Sequence, residues 1–341
     1  MNAAGECPAP VFDHLARLTD GRGIFEHALL STPRPEHGYC VDDVARGLIV
    51  VCREPRPDQR LRELSHVYLD FVVGALDPLG TCHNRMGVDG TWRDIASTGD
   101  WWGRAIWALG VAAVHAHTAG MRARALVGFR IAAEQRSPHV KAMVFAAIGA
   151  AEILSARPAD PTARALAADA IRAIGPPGSD TAWPWPEPRL TYGNGALAEA
   201  LIVSGAAIGD GRASGRGLEL LEFLMRIETR DGHLSVTPVG GRGRDDIGPR
   251  FDQQPIEVAA IADACASAYR LTQDTDFLDG IRLAWQWFLG NNDSGTRMFE
   301  PATGGGYDGL EVDGRNMNQG AESTLAMLST AQQTRSVHGM S

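Results

Sequence analysis

Two adjacent carboxylates, Asp42 and Asp43, stand in the stretch His37-Gly38-Tyr39-Cys40-Val41-Asp42-Asp43-Val44-Ala45-Arg46, between a Gly/Pro-rich run (31–38) and an apolar segment (44–51). A loop that ends this way delivers acids to the first turn of a helix, where unpaired N–H groups and the helix dipole favour negative charge. Adjacent carboxylates repel, so one needs a counter-charge, hydrogen bonds or a raised pKa. Arg46, one turn on, is in reach as that counter-charge. Acids recur in the same setting. Asp100 precedes Trp101-Trp102-Gly103-Arg104, Glu187 follows a Trp/Pro run, Glu257 follows Asp252-Gln253-Gln254, and Glu322 follows Asn318-Gln319. A general acid and a general base on facing elements are what glycosidic bond hydrolysis needs, with a separation of about 6.5–9.5 Å when the reaction inverts. Asp43 and Asp100 are the expected pair and Glu257 the rival for either role. His37, Tyr39, Asp42, Arg46, Arg104, Asp252, Gln253, Asn318, Gln319 and Glu322 are expected to bind sugar hydroxyls. The competing reading of each acid is a helix cap.

Trp102, Trp183 and Trp185 are expected at the site as well, because an indole face stacks on a sugar ring and leaves the hydroxyls to polar neighbours. Trp183 and Trp185 alternate with prolines that would hold them rigidly. The competing reading, core packing, applies most to the Trp101, Trp102 and Trp107 group. His37 and Cys40, with Cys82-His83, are spaced too loosely for an ordinary zinc site, so no metal is expected. The Gly-rich runs 240–243 and 304–306 neither follow a strand nor read G-x-x-x-x-G-K, so no nucleotide and no other cofactor is expected.

The elements that must position these residues alternate in kind. Small-residue, mostly apolar helices are predicted at 42–51, 101–117, 140–154, 196–208, 256–271 and 321–331. Amphipathic helices are predicted at 11–18, 61–76, 122–135, 162–174, 215–227 and 277–289. A buried layer alternating with a half-exposed one implies two concentric layers. Six hairpins closing into an all-α (α/α)6 toroid account for all twelve helices; an open solenoid would want more uniform repeats and shorter loops. Antiparallel alternation starts every inner helix at one end, so the long loops 77–99, 175–195, 231–254 and 292–319 converge on one mouth. The third inner helix is entered only by Arg136-Ser137-Pro138-His139, which makes that sector the low wall. One domain spans 1–341, with its core at about 10–333 and a polar, frayed tail at 334–341.

The chain has 341 residues, 44% hydrophobic and 21% charged, an ordinary globular balance. A net charge of −9 argues against nucleic acid or an anionic membrane as partner and suits a neutral or cationic substrate. No run of about 18 apolar residues reads as a membrane span. The first residues have no basic segment followed by an apolar one, and the five cysteines form no C-x-x-C pair. A cytoplasmic, reducing location is the expectation.

The segments HGYCVDDVARGL, GDWWGRAIWALG, FDQQPIEVAAIADAC and NQGAESTLAML together resemble a bacterial family of six-hairpin, glycosidase-like domains often met beside, or fused to, glycosyltransferase modules. The resemblance covers roughly residues 20–333. It implies an (α/α)6 toroid with carbohydrate in its mouth and functional association with a glycosyltransferase. The wider superfamily includes inverting hydrolases, unsaturated-uronyl hydrolases, lyases and sugar 2-epimerases. The adjacent acids are similar to the catalytic pair of bacterial endo-α-mannanases of this fold, here Asp42 and Asp43. The common first motif has Asn after the two acids, where this chain has Val44, so a polar helper is absent. A glycoside hydrolase is the leading expectation. An epimerase or isomerase would want histidines at the mouth, and His37, His83, His139 and His233 are scattered. A carbohydrate-binding barrel without turnover is the third reading. A terpene-cyclase-like barrel would want D-D-x-x-D, and Arg46 follows instead.

Overall fold

The computed structural model describes residues 7–338, and among these it forms twelve α-helices. They are α1 (Asp13–Arg17), α2 (Val41–Arg53), α3 (Gln59–Gly74), α4 (Asp100–His115), α5 (Ala119–Ala132), α6 (Val140–Ala156), α7 (Pro161–Ile174), α8 (Asn194–Ile208), α9 (Gly211–Glu228), α10 (Pro255–Thr272), α11 (Asp276–Leu289) and α12 (Ala321–His338). The even-numbered helices form an inner ring. Each packs on the next, and α12 returns to α2. The helices α3, α5, α7, α9 and α11 lie outside, each against its hairpin partner, and α1 from the start of the chain covers α12. The fold is the expected (α/α)6 barrel, closed rather than open.

Small residues let the inner helices approach closely. A Cβ on Gly103 of α4 would stand 2.2 Å from the Ala142 carbonyl oxygen of α6, and one on Gly195 of α8 would stand 2.4 Å from the Ala260 oxygen of α10. No side chain fits at such crossings. The outer helices α3, α5, α7 and α9 instead carry their own caps. Asp58, Thr118, Asp160 and Asp210 accept from N–H groups of the first turn. Those caps explain why α5 begins at Ala119 and α9 at Gly211, ahead of the starts that hydrophobic spacing predicts. Polar groups sew the ring shut where its ends meet. His14 Nε2–H donates to the Gln319 carbonyl (2.8 Å), the Leu30 N–H to Asn318 Oδ1 (2.9 Å), and Gln332 Nε2 to the Val50 carbonyl (2.9 Å).

The two ends of the barrel differ. Every short strand among the described residues lies in a connection that enters an inner helix. These strands make two-stranded ribbons, and some tie neighbouring entries together: Tyr39 pairs with Met86 and Cys40 with Arg85, Arg189 with Gly243 and Leu190 with Arg242. At the other end the connections are brief turns (54–58, 116–118, 157–160, 209–210, 273–275). Of the tail expected at 334–341, residues 334–338 continue α12 through His338, with Thr334 Oγ1 bonded back to the Thr330 carbonyl, and 339–341 fall outside the described residues. Among the described residues no helix is long and apolar enough to cross a membrane.

Candidate active site

The mouth holds a cleft of about 1040 Å³. Its floor is built by the first turns of the inner helices, and its walls by the ribbons that precede them. The N-terminal caps of α2, α4, α6, α8 and α10 are Cys40, Gly99, His139, Gly193 and Gln254, and none supplies a side-chain cap. The acids of these helices sit inside the first turn, so the cap reading does not hold for them.

Asp43, the third residue of α2, is 3% exposed. Arg46 donates to its Oδ1 at 2.7 Å and the Cys40 thiol to its Oδ2 at 3.1 Å. Burial raises the Asp43 carboxyl to about 7; Arg46 opposes this, and Glu322 and Glu26 add to it. Arg46 also pairs with Glu322 at 2.8 Å. Asp42 takes a different partner, with Arg104 Nε at 3.0 Å from its Oδ1. The Arg104 guanidinium lies 3.9 Å from the centre of the Phe145 ring, a cation–π contact on the cleft floor. The adjacent acids therefore point to separate arginines, and that arrangement relieves their repulsion.

Asp100 lines the cleft at the start of α4 and accepts from the Tyr192 hydroxyl at 2.6 Å. Lys141, buried in the first turn of α6, lies 3.4 Å from Glu187 Oε2. Glu257, the third residue of α10, is 4% exposed and also lines the cleft. Its carboxylate spans to the start of α8, accepting from the Gly193 N–H (2.5 Å), the Asn194 N–H (3.2 Å) and Asn194 Nδ2 (3.0 Å). Burial raises its pKa, and the two backbone donors pull it back down. Gly193 holds a left-handed conformation (φ 58°) that presents its N–H to this acid.

Of the residues expected from sequence, Asp42, Asp43, Arg46, Asp100, Arg104, Glu187, Glu257 and Glu322 line the cleft together, as does His139 of the histidines. The others do not. Trp102 is fully buried, its indole N–H shared between the Gly80 and Ala132 carbonyls, and Trp101 lines the cleft instead. Successive helical residues diverge by about 100°, so only one of the two can face inward. Trp185 is buried against Phe223, and Trp183 packs edge-on to the same ring. Tyr39 is buried, stacked on Phe25 and bonded to Asp20. His37 packs edge-on against His27, and it is His27 that lines the cleft. Gln253 is buried against Asp293. Asp252 contacts the Gly309 backbone region outside the cleft. Asn318 and Gln319 belong to the ring-closing seam.

Several cleft residues escaped the sequence reading: Glu26, His27, Asn84, Arg85, Tyr192 and Asp308. They lie in ribbons and turns that helical spacing does not reach. Lys141 did carry a signal, a lone cation in the first turn of an otherwise apolar helix. Among the described residues, His37, Cys82 and His83 belong to no group of three or more close ligand-type side chains. Glu26, Cys40 and Asp43 bring ligand-type atoms within 4.8 Å of one another. Arg85 pairs with Glu26 and Arg46 with Asp43, so guanidinium groups already hold those acids.

No protein-family model and no curated protein sequence matches the chain. Solved structures do. A sugar epimerase from a ruminal bacterium is 14% identical, over 95% of each chain, with a TM-score of 0.70. Cellobiose 2-epimerase from Bacillus thermoamylovorans is 12% identical, over 96% of each chain, with a TM-score of 0.70. An α-mannanase of glycoside hydrolase family 76 from Bacteroides thetaiotaomicron is 8% identical, over 96% of this chain and 95% of that one, with a TM-score of 0.66. At these identities the likeness establishes the (α/α)6 fold.

Proposed function

We propose that the chain is a carbohydrate-active enzyme that hydrolyses a glycosidic bond with inversion, with Asp43 as the general acid and Asp100 as the general base. The observation that carries this reading is the environment of Asp43: a buried carboxyl, raised to about 7, in the first turn of an inner helix on the cleft floor. Such a group keeps its proton near neutral pH and can give it to a leaving oxygen. Asp100 has one oxygen committed to Tyr192, and the other takes the proton from water as it attacks the sugar carbon. When Asp43 loses its proton, Arg46 is already hydrogen-bonded to the carboxylate that forms. Asp42, Arg104 and Lys141 supply polar contacts to hydroxyls. Trp101 offers a stacking face held in place by its N–H bond to the Cys82 carbonyl at 2.7 Å. Glu257 is held by backbone N–H groups of the neighbouring helix, where Asp43 is held by side chains, and we assign it to positioning that helix rather than to proton transfer.

One observation favours a second reading, a sugar epimerase or isomerase. His27 and His139 both line the cleft, and histidine suits proton removal beside a carbonyl. A single screen separates the readings. Purified protein is incubated with panels of gluco-, manno- and galacto-oligosaccharides beside Asp43→Asn and Asp100→Asn. New reducing ends, lost in both variants, establish the hydrolase. Isomers of unchanged chain length establish the epimerase. Sugar binding by calorimetry without any product leaves a carbohydrate-binding barrel.

A further inference from the structure

The end of the barrel opposite the cleft contains a second cavity, about 370 Å³, walled by α6, α8 and α10. Small-molecule sites commonly span about 300–1,000 Å³. Ile148, Leu154, Ile202 and Leu271 give it apolar walls, and Glu152, Glu199, Ser267 and Arg270 are its charged and hydroxyl groups apart from Ser155. Nothing in the mouth chemistry uses these residues.

Three observations bear on the charge of what fits. First, α6, α8 and α10 all run from the mouth to this end, so the carbonyl ends of three helices face the same region. Second, Glu199 is 3% exposed; its Oε1 accepts from Ser267 Oγ at 2.8 Å, and its Oε2 has no partner. A buried carboxylate oxygen left unpaired is costly, and it marks a place where a donor belongs. Third, two of the surrounding charges are paired with opposite charges, and Arg270 is turned to a neutral hydroxyl. Arg53 of α2 pairs with Asp263 of α10 at 2.8 Å, Glu152 of α6 with His115 of α4 at 3.2 Å, and Arg270 of α10 donates to Ser267 Oγ at 3.2 Å. Burial, then Asp263, raise the Glu199 carboxyl, while Arg53 and Arg270 oppose them, and Cys265 also lies within its field.

We propose that this cavity binds a small organic cation, a primary ammonium on a short apolar body, with Glu199 as its counter-charge. The ammonium pairs with the Glu199 carboxylate, and the alkyl chain lies on Ile202 and Leu271. Glu199 gives up a proton to solvent as the cation binds, so affinity tightens with rising pH until that carboxyl is ionised. An alkylammonium keeps its own charge to about pH 10.

The test is calorimetry on the full chain with n-butylammonium as probe and n-butanol as the uncharged control. Saturable heat is expected with the amine alone, stronger at about pH 8 than at about pH 6. Glu199→Gln should weaken binding about tenfold or more, a loss of about 1.4 kcal/mol. Ala206→Phe, at an exposed residue on the cavity wall, plugs the entrance without touching the charges and should abolish binding even if the Gln variant folds poorly. Absence of saturable heat, or equal binding of butanol, overturns the proposal. Amine binding that survives Ala206→Phe also overturns it, because the cation then sits elsewhere, as in the acidic mouth.

Discussion

The outer and inner helices begin with the same residue types and use them in opposite ways. On the outer layer Asp58, Asp160 and Asp210 stand just before the helix and spend a carboxylate oxygen on its free N–H groups. On the inner layer Asp42, Asp43, Asp100 and Glu257 stand within the first turn, and the cap positions before them supply no side-chain bond. Moving an acid one to three residues inward changes its partners from its own backbone to side chains. Asp43 meets Arg46 and the Cys40 thiol, Asp42 meets Arg104, and Asp100 meets Tyr192. Glu257 is the instructive intermediate. It is as buried as Asp43 and has the same place in its helix, yet its donors are the N–H groups of a neighbouring helix. It works as a cap supplied from next door. On the proposed function, acids held by backbone stabilise the ring, and acids held by side chains carry the chemistry.

The largest effect should come from the acids free of backbone donors. Asp43→Asn and Asp100→Asn should each lower kcat/KM about 10²–10⁴-fold on whatever sugar the product screen identifies, with the fold retained. Retained activity in either variant breaks the division. The pH profile sharpens it. Asp43 must be protonated to act as the acid, so kcat/KM should fall as pH rises through about 7. Stability follows the same sign. A carboxyl whose folded pKa lies above its unfolded value contributes stability at low pH that is lost as pH rises through the folded pKa. Asp43→Asn removes that ionisation, so denaturant midpoints should show a variant no less stable than the parent above about pH 7, although nearly inactive.

Glu257→Gln should reverse the pattern. The amide replaces one of two accepting oxygens and turns N–H groups toward the N–H groups of Gly193 and Asn194. Loss of charge-assisted bonds of this kind costs about 1.5–3 kcal/mol. Chemical denaturation should register that loss, with a smaller fall in kcat than Asp43→Asn gives. A variant as stable as the parent but without activity would return Glu257 to the proton-transfer role.

The sequence made the barrel legible because its two layers differ in composition. Runs such as VKAMVFAAIGAAEIL have no polar face to show solvent, and GRGLELLEFLMRI has one. All six inner helices could be located from this contrast, together with the end at which they start. The acids on the floor followed from that placement. The aromatic residues did not, because a tryptophan beside the mouth and one facing it look identical in a loop of Pro and Gly. Trp101 and Trp102 were separable only by the rotation of α4, and the helix start at Asp100 sets it. NQG resembled a binding motif but sews the ring, since a contact between the two ends of a chain leaves no local spacing to read. The wall residues Glu26, Arg85 and Tyr192 depend on pairing between loops distant in sequence, which periodicity cannot supply.

The smallest effect belongs to the outer layer and gives the control for the whole comparison. Asp58 Oδ1 accepts from the Leu61 N–H at 2.8 Å, and the residue is exposed. Removing an N-cap of this type costs about 0.5–2 kcal/mol. Asp58→Ala should therefore lower the denaturation midpoint while leaving kcat and KM unchanged, because Asp58 caps α3 at the end of the barrel remote from the mouth. If Asp58→Ala instead changed turnover as strongly as Glu257→Gln, the two layers would not be separable in function. The burial and partners of the inner acids would then no longer distinguish them from caps.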